Sequence, residues 1–295
     1  MLEFRDIDIS DRSWINELLK ISDFRGCEYS FANNMAWKRL SNSKICRYKD
    51  FYICRSDDEE NGFSFTFPAG RGNYREVIEM LKDYSEKNGF LLKLWNVSPD
   101  TENFIKNELG FNIRTFQTPE SYDYVYLSDD LINLKGRKFH SKRNHLKKSE
   151  LYNWEYISIN EKNFDECIVF CTGNYNSKNS ENNHSAVAEQ FAINTYFNYF
   201  NEMELSGGII KADGKIIALS IGERLNSDTF CVHIEKADTN YEGIYPLINN
   251  CFVKNEACNI KYINREEDMG IEGLRKAKRS YNPVFMVEKN TVEFI

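Results

Sequence analysis

The hydrophobic period of the chain changes in a readable order over its second half. Residues 164–170 and 186–203 carry apolar side chains every three or four positions, the spacing of an amphipathic helix, with Phe191, Tyr196, Phe197 and Phe200 as the bulky members. The period then becomes two. Residues 208–212 predict a strand, Asp213-Gly214 a hairpin turn, and 215–225 a second strand. Asn226-Ser227-Asp228 turns the chain into a third strand over 229–237. A loop over 238–243 opens a helix at 244–257, followed by a strand at 260–264, a helix at 272–281 and a strand at 283–288. Three hairpin-joined strands followed by helical crossovers predict a mixed sheet with helices on its faces.

The first half repeats part of this order. Residues 45–55 and 63–67 read as an antiparallel pair, 74–86 as a helix, 90–95 as a strand, 100–109 as a helix and 111–116 as a strand. The expected fold class is therefore α/β with mixed sheets, arranged as a tandem of two similar units over 1–125 and 126–295. The junction falls near 118–135. One α/β unit joined to an unrelated one fits the same pattern. The length of 295 residues and a hydrophobic content of 41% support two cores, and five prolines leave little room for long linkers.

Cysteine usage and the termini set the compartment. The eight cysteines form no CxxC pair, and Cys167 and Cys171, four apart on a predicted helix, have no further Cys or His at zinc-ligand spacing. They read as core thiols in a reducing compartment, and the expectation is no metal. The opening MLEFRDIDISDRSW lacks the apolar core of a signal peptide, and no run approaches the roughly 18 apolar residues of a membrane span. The expected location is the cytoplasm.

Charge adds one feature. The chain carries a formal net charge of −7, yet residues 135–148, KGRKFHSKRNHLKK, hold seven basic residues and no acid. A positive island on an acidic protein points to a local anionic partner; the plainer reading is a solvated helix face. Arg137, Lys138, His140, Arg143 and Asn144 are its candidate contacts.

Further candidate chemistry lies on the strands. In the alternating strand Phe230 to Lys236, His233 and Glu235 share one face with Cys231. A histidine and a carboxylate so placed could act as a general-base pair; alternatively His233 is a satisfied core residue and Glu235 an ion-pair partner. After the next strand come Asn264, Arg265, Glu266 and Glu267, at the carboxyl end where α/β proteins bind ligands. Arg275 and Lys278 share a helix face suited to phosphate or carboxylate. In the first half Gly70, Arg71, Gly72 and Asn73 join a strand to a helix; they read as a phosphate loop, or as a turn with Asn73 as N-cap.

Three long motifs, KGRKFHSKRNHLKK, DGKIIALSIGERLNSDTFCVHIEKAD and YINREEDMGIEGLRKAKRSYNPV, carry a family resemblance. Over about residues 1–290 the chain resembles the C-terminal domain of phosphatidylglycerol lysyltransferases, a tandem of acyl-CoA N-acyltransferase (GNAT) units. The resemblance implies transfer of an acyl or aminoacyl group to an amine or hydroxyl acceptor: a small molecule, a peptide or a lipid headgroup. The donor would be acyl-CoA or aminoacyl-tRNA, an anionic partner for the basic run. His233 or Glu235 would be the base, and strand N–H groups near 219–221 the carbonyl donors. In GNAT units a loop after the third antiparallel strand holds pyrophosphate; here, over 238–245, Gly243 alone fits that pattern, and Asp238 and Glu242 would repel phosphate. An RNA- or anion-binding protein without catalysis, on a degenerate transferase fold, is the alternative.

Overall fold

The computed structural model describes residues 2–58, 62–173 and 184–295, with the backbone alone for 184–186. The chain divides into two compact units. One comprises Met1–Asp123, Glu267–Gly270 and Val287–Ile295; the other comprises Tyr124–Glu266 and Ile271–Met286.

The first unit begins with α1 (Arg12–Ser22) and α2 (Phe31–Trp37). Ile15, Leu18 and Leu19 form the buried stripe of α1. The strands β1 (Ser43–Tyr48), β2 (Phe51–Asp58), β3 (Gly62–Thr66) and β4 (Ala69–Gly70) precede α3 (Tyr74–Lys87). The single strand expected over 45–55 is in fact the hairpin β1–β2, because Lys49 takes φ 52° and turns the chain. Next come β5 (Lys93–Val97), α4 (Pro99–Asn103), a π-helical turn at Phe104–Glu108, and β6 (Ile113–Gln117). The sheet order is β1-β2-β3-β5-β14-β6, where β14 (Asn290–Phe294) comes from the far end of the chain. β3 and β5 run parallel, and β14 is antiparallel to both its neighbours. Ile53, Phe65, Ile78, Leu81, Leu94 and Val292 form the center of the core.

The second unit contains β7 (Asp123–Leu127), α5 (Ser128–Asn133), α6 (His140–Ser149), β8 (Trp154–Ser158), α7 (Phe164–Gly173) and α8 (His184–Asn198). A meander of β9 (Ser206–Ala212), β10 (Lys215–Arg224) and β11 (Thr229–Ala237) follows. Asp213 and Gly214 take φ 49° and 75°, so the Asp-Gly signal is a left-handed hairpin turn. The chain continues through α9 (Ile244–Glu256), β12 (Tyr262–Asn264), α10 (Glu272–Arg279) and β13 (Phe285–Val287). The sheet order is β13-β7-β12-β11-β10-β9-β8. Buried Ile210, Ala218, Ile244 and Ile248 join α9 to this sheet.

The basic run supplies α6, and α6 lies over the start of α9. Gly243, the residue before α9, has φ 80°, and a Cβ there would sit 2.1 Å from the His145 carbonyl oxygen. Only glycine satisfies both demands. Gly243→Ala is expected to cost about 1–3 kcal/mol. Faster amide hydrogen exchange over 140–149 would show that the cost falls on α6.

Candidate active site

β11 and β12 start as parallel neighbours and then part. Their register runs from Thr229↔Tyr262 to Cys231↔Asn264 and stops. Beyond it the chain after β12 stays with β7: the Arg265 N–H donates to the Tyr124 carbonyl at 3.0 Å, and the Tyr124 N–H to the Glu266 carbonyl at 3.1 Å. β11 meanwhile continues along β10. Two side-chain pairs bridge the gap. His233 Nδ1 lies 2.8 Å from Glu266 Oε1, and Arg265 Nη2 lies 2.7 Å from Glu235 Oε1. The gap opens at the carboxyl end of the parallel strand, where α/β sheets place ligands.

Local geometry fixes both bridges. Asn264 is fully buried, and its Oδ1 accepts the Glu266 N–H at 2.7 Å, holding Glu266 at φ 55°. Lys278, expected to hold phosphate, is buried and donates from Nζ to the Arg265 carbonyl at 2.6 Å. Arg265 packs over the rings of Tyr281 and Tyr126, 4.8 and 5.7 Å from their centroids. Burial opposes its charge, but Glu235 and the two tyrosines more than offset this and raise its pKa.

His233 is a buried bridge between two carboxylates. Its side chain has 0% exposure, and Nε2 lies 3.0 Å from Glu223 Oε1 on β10. Tyr196 stacks on the ring at 5.6 Å with an interplanar angle of 11°. Burial acts against a charged ring, yet Tyr196, Cys231 and Glu223 lift its pKa well above the usual histidine value. With carboxylates at both nitrogens, the imidazolium satisfies both by donating twice. Glu266 is the most open of the three: its side chain is 19% exposed, and among the described residues no donor reaches Oε2. Glu235 pairs with Arg265 and with Asn249, whose Nδ2 donates to Oε2 at 3.1 Å, rather than with His233.

Three buried atoms beside this gap have no hydrogen-bond partner: Arg265 Nη1, Asn249 Oδ1 and Tyr196 Oη. Two of them belong to the residues that hold Glu235: Arg265, bound to its Oε1, and Asn249, bound to its Oε2. Buried polar atoms are nearly always satisfied, so each is a point where a ligand or ordered water would add a bond.

The other candidates lie elsewhere. Lys138 pairs with Asp130 at 2.8 Å, and Arg143 donates to the Gly136 carbonyl at 2.8 Å. His140 and Asn144 contact each other at 3.2 Å on an exposed face, and Arg137 is exposed. Lys142 covers the Tyr281 ring at 3.7 Å; burial and Arg265 bring its pKa down to about 8. The run is therefore partly structural. Arg275 is half-buried on α10. The N–H groups at Leu219 to Ile221 belong to β10, which has β9 on one side and β11 on the other. Glu223 and Asn249, both part of the site, were not read from the sequence.

The start of α9 is closed as an anion cradle. The Glu242 N–H donates to Tyr152 Oη at 3.0 Å, and Glu242 pairs with Lys148 at 3.0 Å. Pro246, the third residue of α9, has no N–H. In the first unit, Gly70 and Gly72 have packing reasons. A Cβ on Gly70 would meet the Asp50 carbonyl oxygen at 2.0 Å, and one on Gly72 the Phe51 ring at 3.0 Å. Arg71 faces Asp50 at 3.9 Å, and Asn73 caps α3 by accepting the Glu76 N–H at 3.2 Å.

Glu267, the neighbour of Glu266, belongs to the first unit. It lies 3.7 Å from Cys27 Sγ in a cluster centred on buried Lys289. Lys289 Nζ lies 2.6 Å from Asp123, 2.8 Å from Glu28 and 3.3 Å from Cys27 Sγ. Burial, with Asp123 adding to it against the pull of Lys289, pushes the Glu28 carboxyl up to about 7. The folded chain therefore holds a proton that the unfolded chain has released above the ordinary value of 4.5, so stability falls as pH rises from about 4.5 to 7. Glu28→Gln should remove that slope, a relative gain of about 2–3 kcal/mol at pH 8 and none near pH 4.5. Urea titrations at the two pH values measure it.

Comparison with known proteins agrees with this architecture. A crystal structure of a conserved protein of unknown function from Bacteroides thetaiotaomicron VPI-5482 is 33% identical, covers 100% of both chains and superposes with a TM-score of 0.93. L-PGS from Bacillus licheniformis, 11% identical, covers 95% of this chain and 90% of its own with a TM-score of 0.64. A tandem GNAT protein from the clavulanic acid biosynthesis pathway, 8% identical, covers 99% and 98% with a TM-score of 0.51. A leucine-rich repeat and coiled-coil domain-containing protein of Plasmodium falciparum (isolate 3D7) is 28% identical over 142 residues; these span 45% of this chain and 13% of that protein. Among the described residues no helix is long and apolar enough to cross a membrane. The fold is a tandem GNAT-like fold. The family model for the C-terminal region of phosphatidylglycerol lysyltransferase matches residues 19–292, and the chain belongs to that family.

Proposed function

We propose that this chain transfers an aminoacyl group from its ester on tRNA to an amine or hydroxyl acceptor, within the gap between β11 and β12. The observation that carries the reading is that the two residues holding Glu235 each keep an unpartnered buried atom, the donor Nη1 of Arg265 and the acceptor Oδ1 of Asn249. An aminoacyl ester offers the complement of both: its carbonyl oxygen accepts from Arg265 Nη1, and its α-ammonium donates to Asn249 Oδ1. A plain acyl thioester has no such donor. The covered start of α9 also favours a donor other than acyl-CoA.

The chemistry follows from positioning. The acceptor attacks the ester carbonyl carbon, and the bond to the ribose oxygen breaks. The acceptor proton passes to Glu266 Oε2 and from there to the ribose oxygen, which leaves as a hydroxyl. Arg265 supports the developing oxyanion, a role that gains strength where water is excluded. Holding donor and acceptor together supplies on the order of 7–11 kcal/mol of the barrier. Exposed basic residues on and beside α6, Arg137 and Lys147 among them, meet the RNA phosphates. The acceptor is a small amine, a peptide or a lipid headgroup.

The chain would be incubated with labelled aminoacyl-tRNA or acyl-CoA and a panel of these acceptors. Label transfer from aminoacyl-tRNA is expected. Transfer from acyl-CoA alone would refute the donor assignment. Salt-sensitive RNA retention with no transfer from either donor would replace the reading with that of a binding protein.

A further inference from the structure

We propose that Cys231, His233 and Glu266 form a binding site for a borderline-soft divalent ion, best matched by Zn(II). One ligand atom from each, a thiol sulfur, an imidazole nitrogen and a carboxylate oxygen, lies within 4.8 Å of the other two. Cys231 and His233 alternate along β11, and Glu266 meets them across the gap, 2.8 Å from His233 Nδ1 and 3.9 Å from Cys231 Sγ. This mixture suits zinc, which takes sulfur at about 2.3 Å and nitrogen or oxygen at about 2.0–2.2 Å. Magnesium and calcium prefer oxygen alone.

Two observations separate the set from an ordinary ion-pair network. The first is Glu223. Its carboxylate lies 3.0 Å from His233 Nε2, which fixes the far side of the ring and directs the Nδ1 lone pair at the other two ligands. That is the carboxylate–histidine–metal arrangement that raises ligand basicity. The second is Tyr196, stacked on the same ring, with a fully buried hydroxyl that has no partner. A water held as the fourth ligand of a tetrahedral ion is a group of the kind such a hydroxyl needs.

The first unit offers a contrast. Cys27, Asp123 and Glu267 are also close enough to share an ion. There the Lys289 ammonium already stands 2.6 Å from Asp123 and 3.3 Å from Cys27 Sγ. Around His233 the corresponding place is the 2.8 Å contact between Nδ1 and Glu266 Oε1, which an ion can enter. Binding releases the thiol proton and the Nδ1 proton, and the Nδ1–Oε1 separation widens to about 3.3 Å, as tetrahedral ligation requires. Glu266 can make this shift because its side chain is partly exposed. The ion would occupy the carboxylate assigned above to transfer, so the loaded and transferring forms exclude each other. The site itself does not depend on that activity.

Metal-free full-length chain, titrated with Co(II), should develop a thiolate-to-cobalt charge-transfer band together with the visible bands of a four-coordinate ion. One equivalent of Zn(II) should remove both. Cys231→Ser should lose the charge-transfer band, and Glu223→Gln should keep it while binding about 10–100-fold more weakly. Far-UV circular dichroism checks that the variants fold. If Cys231→Ser does not fold, His233→Gln replaces it, keeping the thiol and losing the visible bands. No charge-transfer band in the wild-type chain, or an unchanged one in Cys231→Ser, would overturn the proposal. Either result leaves the transfer assay untouched.

Discussion

Glu266→Gln should lower kcat/KM for transfer by about 10²–10⁴-fold, the usual span for removing a general base. The amide keeps the volume, so the fold should hold. It can still accept from His233 Nδ1 through its carbonyl oxygen, which lies 2.8 Å away in the carboxylate form. What it lacks is an oxygen able to take the acceptor proton. The loss should therefore appear in kcat more than in KM. Glu235→Gln serves as the comparison. Its partners are Arg265 and Asn249, so it should disturb donor binding and raise KM. If Glu266→Gln transferred at the wild-type rate, Glu266 would not be the base.

The second large effect concerns stability. Lys289→Met should cost about 3–5 kcal/mol, because removing one member of a buried ion cluster leaves the others without compensation. Lys289 is 2% exposed, and it separates Asp123 from Glu28, both also buried. Burial alone would lower its pKa, yet Asp123, Cys27 and Glu28 raise it well above the ordinary lysine value. Methionine matches the length of the stem and brings no charge. Asp123→Asn in the same background should recover part of the loss by removing the facing charge, since without Lys289 the Glu28 carboxyl keeps its proton. A denaturant midpoint close to that of the wild type would show the cluster to be neutral in net effect.

Local pattern explains what could be read from the sequence. The β9–β10–β11 meander was legible because alternation and an Asp-Gly turn act over a few residues. The β1–β2 hairpin was not, because Lys49 adopts φ 52° without the Gly or Asn that usually marks such a turn. α6 is polar on nearly all its faces, with Ser149 its buried residue, so the sequence offered a basic run or a solvated helix face but no packing side. The strand order placed His233 and Glu235 on one face of β11. It could not show that their partners would be Glu266 and Arg265, which come from beyond another helix and strand. Glu223 could be found only from the hairpin register, which sets it opposite Cys231 across a bulge at Ile221/Gly222.

β14 gives the protein an order of assembly. The strand at Asn290–Phe294 lies between β5 and β6 of the first unit's sheet. The first sheet is therefore incomplete until residues 290–294 have been made. A product truncated before residue 290 would lack β14 and leave the edges of β5 and β6 open to other chains.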